Sequence, residues 1–347
     1  MKKISYKKAL LTMGISLGGL MGMVAGLVIA VDPFFKYHGP LPFLNYIIDN
    51  QLSQNYGMIK HFEYDSVILG SSMTVNFDTD LFESELGVNA IKLSTNAAYP
   101  KDIQRMLSLV QENNPELKTV FVNIDPHNYT AEPELTAYPY PEYLYDDNIF
   151  NDVKYIFNKD VILDYIVKPQ VKNESTKRNE IYWSWPYMWY GKAVIAERYT
   201  EPEISANMMQ KDVYIETTAY NLETYILPYV AGMKNTEFVF FYPPYSILYW
   251  YNHMAAGDVE ALLYQTEYIT EQLLQYPNVR IYQFQNDYEY ITNFDNYSDY
   301  THYRHEMNDY MTRCFANGEH ELTLDNYKQV FSDMRDYLMS FDYENCW

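Results

Sequence analysis

Cysteine is nearly absent from the 347-residue chain, and the two present, Cys314 and Cys346, exclude a disulfide-rich scaffold and a multi-cysteine zinc site. Basic residues are scarce as well, 25 Lys and Arg against 46 Asp and Glu, for a formal net charge of −21. Four of the lysines, Lys2, Lys3, Lys7 and Lys8, precede the first apolar run, so the body is more acidic still. Nucleic-acid binders draw most of their affinity from Lys and Arg neutralising phosphates, so this balance argues against a nucleic-acid partner. An anionic lipid surface is disfavoured for the body too. No glycine-rich phosphate loop, dinucleotide fingerprint or internal repeat occurs. What the chain does have is 48% hydrophobic and 17% aromatic residues, far more than a disordered acidic chain, and 38 tyrosines.

From Ala9 to Val31 there is no charged residue. At about 1.5 Å per residue such a run spans roughly 34 Å, enough for a hydrocarbon core of about 30 Å. A single transmembrane helix is expected, with the lysines on the cytoplasmic side of the plasma membrane and residues 32–347 outside. The alternative is a cleaved signal peptide, with Val28-Ile29-Ala30 as the small-residue site. The run exceeds the usual signal core, which favours a retained anchor. The expected division is a tip and anchor over 1–31 and one extracytoplasmic domain over 32–347.

Apolar runs at Ser66–Leu69, Ala90–Leu93, Thr119–Ile124, Glu237–Phe241 and Val279–Tyr282 read as strands. Helices are expected near 73–86, 100–114, 217–233, 255–275, 305–315 and 324–339. Between 100 and 114, Ile103, Met106, Leu107 and Val110 recur at helical spacing behind Pro100. Continuous apolar strands alternating with helices predict an α/β fold, a three-layer α/β/α sandwich around a parallel sheet. The regular pattern stops from about 128 to 200, where Tyr, Pro and Asn dominate, and this stretch reads as an insertion.

Ligands of open parallel sheets sit beyond the carboxyl ends of the strands. The first strand ends in Gly70-Ser71-Ser72, where Gly permits a sharp turn that lifts a hydroxyl clear of the sheet; either serine could equally cap the following helix. After the last expected strand stands Asp299-Tyr300-Thr301-His302. An Asp three residues before a His can fix its tautomer and leave the other ring nitrogen to take a proton from a serine. His305 and His320 are nearby rivals. His127 and Asp125 with His302 suggest a metal set, but Asp125-Pro126-His127-Asn128 has no established ligand spacing, and neither metal nor cofactor is expected.

A Gly-x-Ser at the end of the first strand together with a terminal Asp-x-x-His resembles the SGNH/GDSL hydrolase family, over about 60–125 and 236–320. The resemblance implies a flavodoxin-like sandwich with Ser72 as nucleophile and Asp299 and His302 as its relay. The middle blocks depart from the family. Ser94, with Asn96 close by, stands where an oxyanion glycine is usual and would serve through its backbone N–H together with that of Ser72, and Asn128 or His127 stands where the family has a side-chain donor. Tyr242-Pro243-Pro244-Tyr245-Ser246, at the end of the fourth strand, either lines the pocket, with Tyr242 as candidate, or is a stiff turn. An amino-terminal anchor and weak middle blocks look like the branch containing DltD and the alginate O-acetylation proteins, which work beside a membrane-bound O-acyltransferase (MBOAT) partner. The resemblance implies a serine-dependent O-acyltransferase acting on a cell-surface polysaccharide. A carbohydrate esterase with the same triad and a non-catalytic glycan-binding scaffold are the alternatives. Tyrosine's flat apolar face and rim hydroxyl suit sugar rings, and the acidic body favours a neutral or cationic glycan over a phosphate polymer.

Overall fold

A computed structural model describes residues 6–183 and 189–346. Lys2 and Lys3, and residues 184–188 of the Tyr-rich stretch, lie outside the described residues. The chain divides into two compact units, Met1–Phe62 with Tyr140–Lys177, and Glu63–Pro139 with Arg178–Trp347. The boundaries expected from sequence do not coincide with these: the stretch read as one insertion is shared, with 140–177 going to the first unit and its flanks to the second.

In the first unit a helix over Tyr6–Val31 exposes most of its apolar side chains, and it is long and apolar enough to cross a membrane. Only its last turn is packed, with Val28 and Val31 buried. The chain then wraps around Asp32, whose carboxylate accepts from the N–H groups of Lys36, Tyr37 and His38 and from the Tyr155 hydroxyl. Burial still raises the Asp32 pKa, because these bonds offset only part of the lost hydration. The His38 Nε2 pairs with the Ile29 carbonyl, and Tyr46 donates its hydroxyl to the Val31 carbonyl. A second helix, Gln51–His61, is capped by Asn50, which accepts from Ser53 N.

The second unit carries a six-stranded sheet: β1 Ser66–Gly70, β2 Ala90–Ser94, β3 Thr119–Asn123, β4 Glu237–Tyr242, β5 Val279–Gln283 and β6 Glu321–Leu322. Their order is β2-β1-β3-β4-β5-β6, with the first five parallel and β6 antiparallel to β5. All five expected strands are present. The two-residue β6 was not foreseen, being too short to show a pattern; the Arg280–Glu321 ion pair beside it ties it to β5.

Helices cover both faces. On one, Phe82 of helix Thr79–Leu86 packs edge-on to Phe121 of β3, and Phe315 of helix His305–Asn317 contacts Phe121, Phe241 and Tyr282. On the other, Tyr242 meets helix Val259–Leu273 and Phe331 of helix Tyr327–Ser340. This alternation along β4 is the period-two pattern of a strand buried on both sides, and the whole is compatible with a three-layer α/β/α fold. The chain passes outward from β1 to β2 and then returns to β3, so the crevice between the carboxyl ends of β1 and β3 is the switch point of the sheet.

Three helix expectations change. The segment after Ser72 is a single 3₁₀ turn, Ser72–Thr74, before helix Thr79–Leu86 begins at its Asp78 cap. The helix expected over 217–233 is two, Ile215–Tyr225 and Leu227–Gly232, because Pro228, in the first turn of the second, lacks the N–H that would bond back into the first. A helix missed by the sequence reading, Ile247–Ala256, precedes Val259–Leu273; Gly257, at φ +79°, separates them.

Candidate active site

β1 ends in Gly70 at φ +141°, and the polar end of β3 fills the space beside it. Asn123 accepts the Ser71 N–H on Oδ1 at 2.7 Å and donates from Nδ2 to Asp125 Oδ1 at 2.7 Å. Ser71 is the cap of the following turn, its Oγ accepting from Met73 N. Thr74 locks the turn by donating to the Ser71 carbonyl. Of the two serines, therefore, Ser71 serves the backbone and Ser72 presents its hydroxyl to His302, with Oγ and Nε2 3.0 Å apart.

His302 comes from a tight loop closed by the Tyr297–Tyr303 bridge and by Ser298 N donating to the His302 carbonyl. Inside it Asp299 Oδ1 accepts from Thr301 N and His302 N, and Oδ2 lies 2.7 Å from His302 Nδ1. Burial of Asp299 raises its pKa, but the bond to His302, its charge and the two loop N–H groups outweigh this and hold the carboxyl below its ordinary value. A carboxylate on Nδ1 assigns the proton there and leaves Nε2 to accept from Ser72. Asn308 Nδ2 donates to the Met73 carbonyl at 3.0 Å, fastening the helix that follows the base loop to the nucleophile turn. The separation and order of Ser72, His302 and Asp299 are those of a serine relay.

Beside the relay lies an open pocket of about 490 Å³, lined by Ser72, His302, Ala97, Asp125, His127, Asn128, Tyr245, Tyr249, Asn252, His253 and Asp258 among others. His127 keeps some exposed surface, yet loss of hydration by the surrounding protein lowers its pKa. Asn128 lines the pocket, but its Nδ2 donates to the Ala98 carbonyl at 2.8 Å. The other three expected binding residues lie elsewhere. Ser94 is buried beneath the nucleophile turn with its hydroxyl 2.7 Å from Thr74 Oγ1. Asn96 is exposed and does not line the pocket; the next residue, Ala97, at φ +56°, does. Tyr242 is a core residue, its hydroxyl 2.8 Å from Thr270 Oγ1, because strand alternation turns it away from the face of Phe241. Tyr245, beyond the strand, enters the pocket instead and donates to Asp125. His305 sits beside Glu306 and His320 beside Tyr310 and Asp287, both off the pocket. Among the described residues no group of three or more His, Cys, Asp or Glu converges as a metal site.

Sequence reasoning missed Asn123, Ala97, Tyr249 and the His253–Asp258 pair. Asn123 had a visible signal, an amide closing the buried run Thr119-Val120-Phe121-Val122. The pair had none, because the five-residue spacing has meaning only once Gly257 breaks the helix. Neither a protein-family model nor a curated protein matches the chain.

Proposed function

We propose that the chain is a membrane-anchored serine O-acyltransferase of SGNH type, its body outside the membrane, modifying hydroxyls of a cell-surface glycan. The Ser72–His302–Asp299 relay, assembled at the switch point of a parallel sheet ordered 2-1-3-4-5, carries the reading. That order is the flavodoxin-like one, and the apolar helix Tyr6–Val31 supports an anchor. A partner of the membrane-bound O-acyltransferase kind would deliver the acyl group.

In this mechanism Ser72 Oγ attacks the acyl carbonyl while its proton passes to His302 Nε2, and the leaving group then takes that proton. An acceptor hydroxyl gives its proton to His302 and attacks the seryl ester, which restores Ser72. Asp299 keeps the imidazole in the required tautomer. The backbone N–H groups of Ser72 and Ala97, at the pocket wall, are the donors we assign to the oxyanion; one such donor is worth about 10²–10³ in rate.

The test uses the full-length chain in detergent with a fluorophosphonate probe and p-nitrophenyl acetate. Ser72 is expected to be labelled and Ser72→Ala and His302→Ala to lose turnover. Wild-type turnover in both variants overturns the reading. An esterase is the second reading, favoured by the openness of the pocket to water; acetate as the sole product in the presence of polyols would establish it.

A further inference from the structure

A second imidazole–carboxylate pair faces the same pocket and has no part in the relay. His253, in the last turn of helix Ile247–Ala256, has Nδ1 2.9 Å from Asp258 Oδ1, and Asp258 Oδ2 accepts the Tyr214 hydroxyl at 2.7 Å. Asp258 occupies the cap position of helix Val259–Leu273, where an Asp side chain ordinarily accepts a free helix N–H, yet it makes no such bond. Both oxygens serve the Tyr214 and His253 side chains instead, and those bonds hold the Asp258 pKa down against its burial. Gly257 makes the arrangement possible, because its left-handed φ brings Asp258 back under His253 and a β-carbon there would lie 2.2 Å from the Asn207 carbonyl.

With Nδ1 engaged, His253 Nε2 is an acceptor without a partner among the described residues, on a residue that lines the pocket. Next to it Asn252, also lining, accepts the Tyr199 hydroxyl on Oδ1, which leaves its Nδ2 to donate. The Tyr249 ring stands edge-on to His253 at 4.6 Å. An acceptor and a donor side by side on the pocket wall match a sugar or polyol whose hydroxyls both give and accept hydrogen bonds.

Resting on the acyltransfer reading above, we propose that His253 and Asn252 form the acceptor subsite for a neutral sugar or polyol, with Asp258 and Tyr214 as residues positioning the His253 ring. His253 Nε2 accepts one hydroxyl hydrogen of the acceptor and Asn252 donates to an oxygen, so that another hydroxyl is held toward acyl-Ser72.

The full-length chain in detergent is given p-nitrophenyl acetate with methyl β-D-glucopyranoside or glycerol, and acetylated acceptor is measured against free acetate. That ratio is unaffected by a loss of folded protein, which lowers both products together. His253→Gln and Asp258→Asn are expected to lower it about 10-fold, the loss of one good hydrogen bond, and Tyr214→Phe to lower it less. A wild-type ratio in His253→Gln and Asp258→Asn, even where both products fall, overturns the subsite, as does failure of the wild type to acetylate either acceptor. A Ser72→Ala chain that still releases nitrophenolate overturns the serine reading beneath it, an outcome separate from an unchanged ratio.

Discussion

A β-carbon on Gly70 would lie 1.7 Å from Asn123 Oδ1, the atom that accepts the Ser71 N–H at 2.7 Å. The nucleophile turn is thus shaped by the end of β3 as much as by β1, and the missing side chain at position 70 is what lets the amide in. Gly70→Ala is expected to destabilise the chain by about 2–4 kcal/mol, since it adds both a clash and a side chain at positive φ. Urea unfolding measures this, and fluorophosphonate labelling of Ser72 should fall in the fraction that remains folded.

Asp299 binds the imidazole and its own loop at once. Asp299→Asn retains an oxygen for the loop N–H groups but destroys the tautomer preference, so turnover of p-nitrophenyl acetate should drop about 10³–10⁴-fold. The carboxyl is held below its ordinary 3.8, so the stability it contributes is present above pH 3.8 and is lost as pH falls through the folded value. The stability gap between wild type and Asp299→Asn should therefore narrow as the pH is lowered below 3.8, read from urea midpoints.

Lys92 is a fully buried ammonium side chain in the middle of β2, donating to the carbonyls of Val75, Phe77 and Asn179 at 2.8–2.9 Å. Lys92→Met leaves three carbonyls without that donor and should cost about 2–5 kcal/mol. Burial lowers the Lys92 pKa to about 7 from 10.5, so between these values the unfolded chain holds the extra proton and stability rises with pH. Unfolding at pH 7 and pH 10 should show that rise in the wild type and lose it in Lys92→Met.

The last turn of the amino-terminal helix belongs to the folded unit beyond it, through buried Val28 and Val31 and the carbonyls that serve His38 and Tyr46. A chain starting at Leu27 should be more stable than one starting at Asp32 by about 3 kcal/mol or more, from burial of the two valines. Thermal unfolding of the two truncations compares them. Cleavage after Ala30 would remove Val28 in the same way.

The strands and the proximity of Ser72, His302 and Asp299 were legible because each depends on local sequence: a buried run of five apolar residues, a Gly-Ser-Ser turn, an Asp three residues before a His. Tyr242 was misplaced because its fate depends on direction rather than position. One residue of register decides whether a strand-end side chain meets the pocket or the opposite helix layer, and Tyr242 falls on the wrong side of that alternation while Tyr245 clears the strand. The sharing of 128–200 between two units was equally invisible, since Tyr and Pro mark irregular backbone without saying which core it packs on.

The relay joins residues 230 positions apart, and Asn308, which fastens the base loop to the nucleophile turn, lies later still. A ribosome makes Ser72 long before it makes His302, and non-local contacts of this kind form late in folding. Until residue 302 has been synthesised Ser72 has no imidazole beside it. The growing polypeptide therefore carries the serine without its partners, and the Ser72–His302–Asp299 arrangement arrives only late in folding.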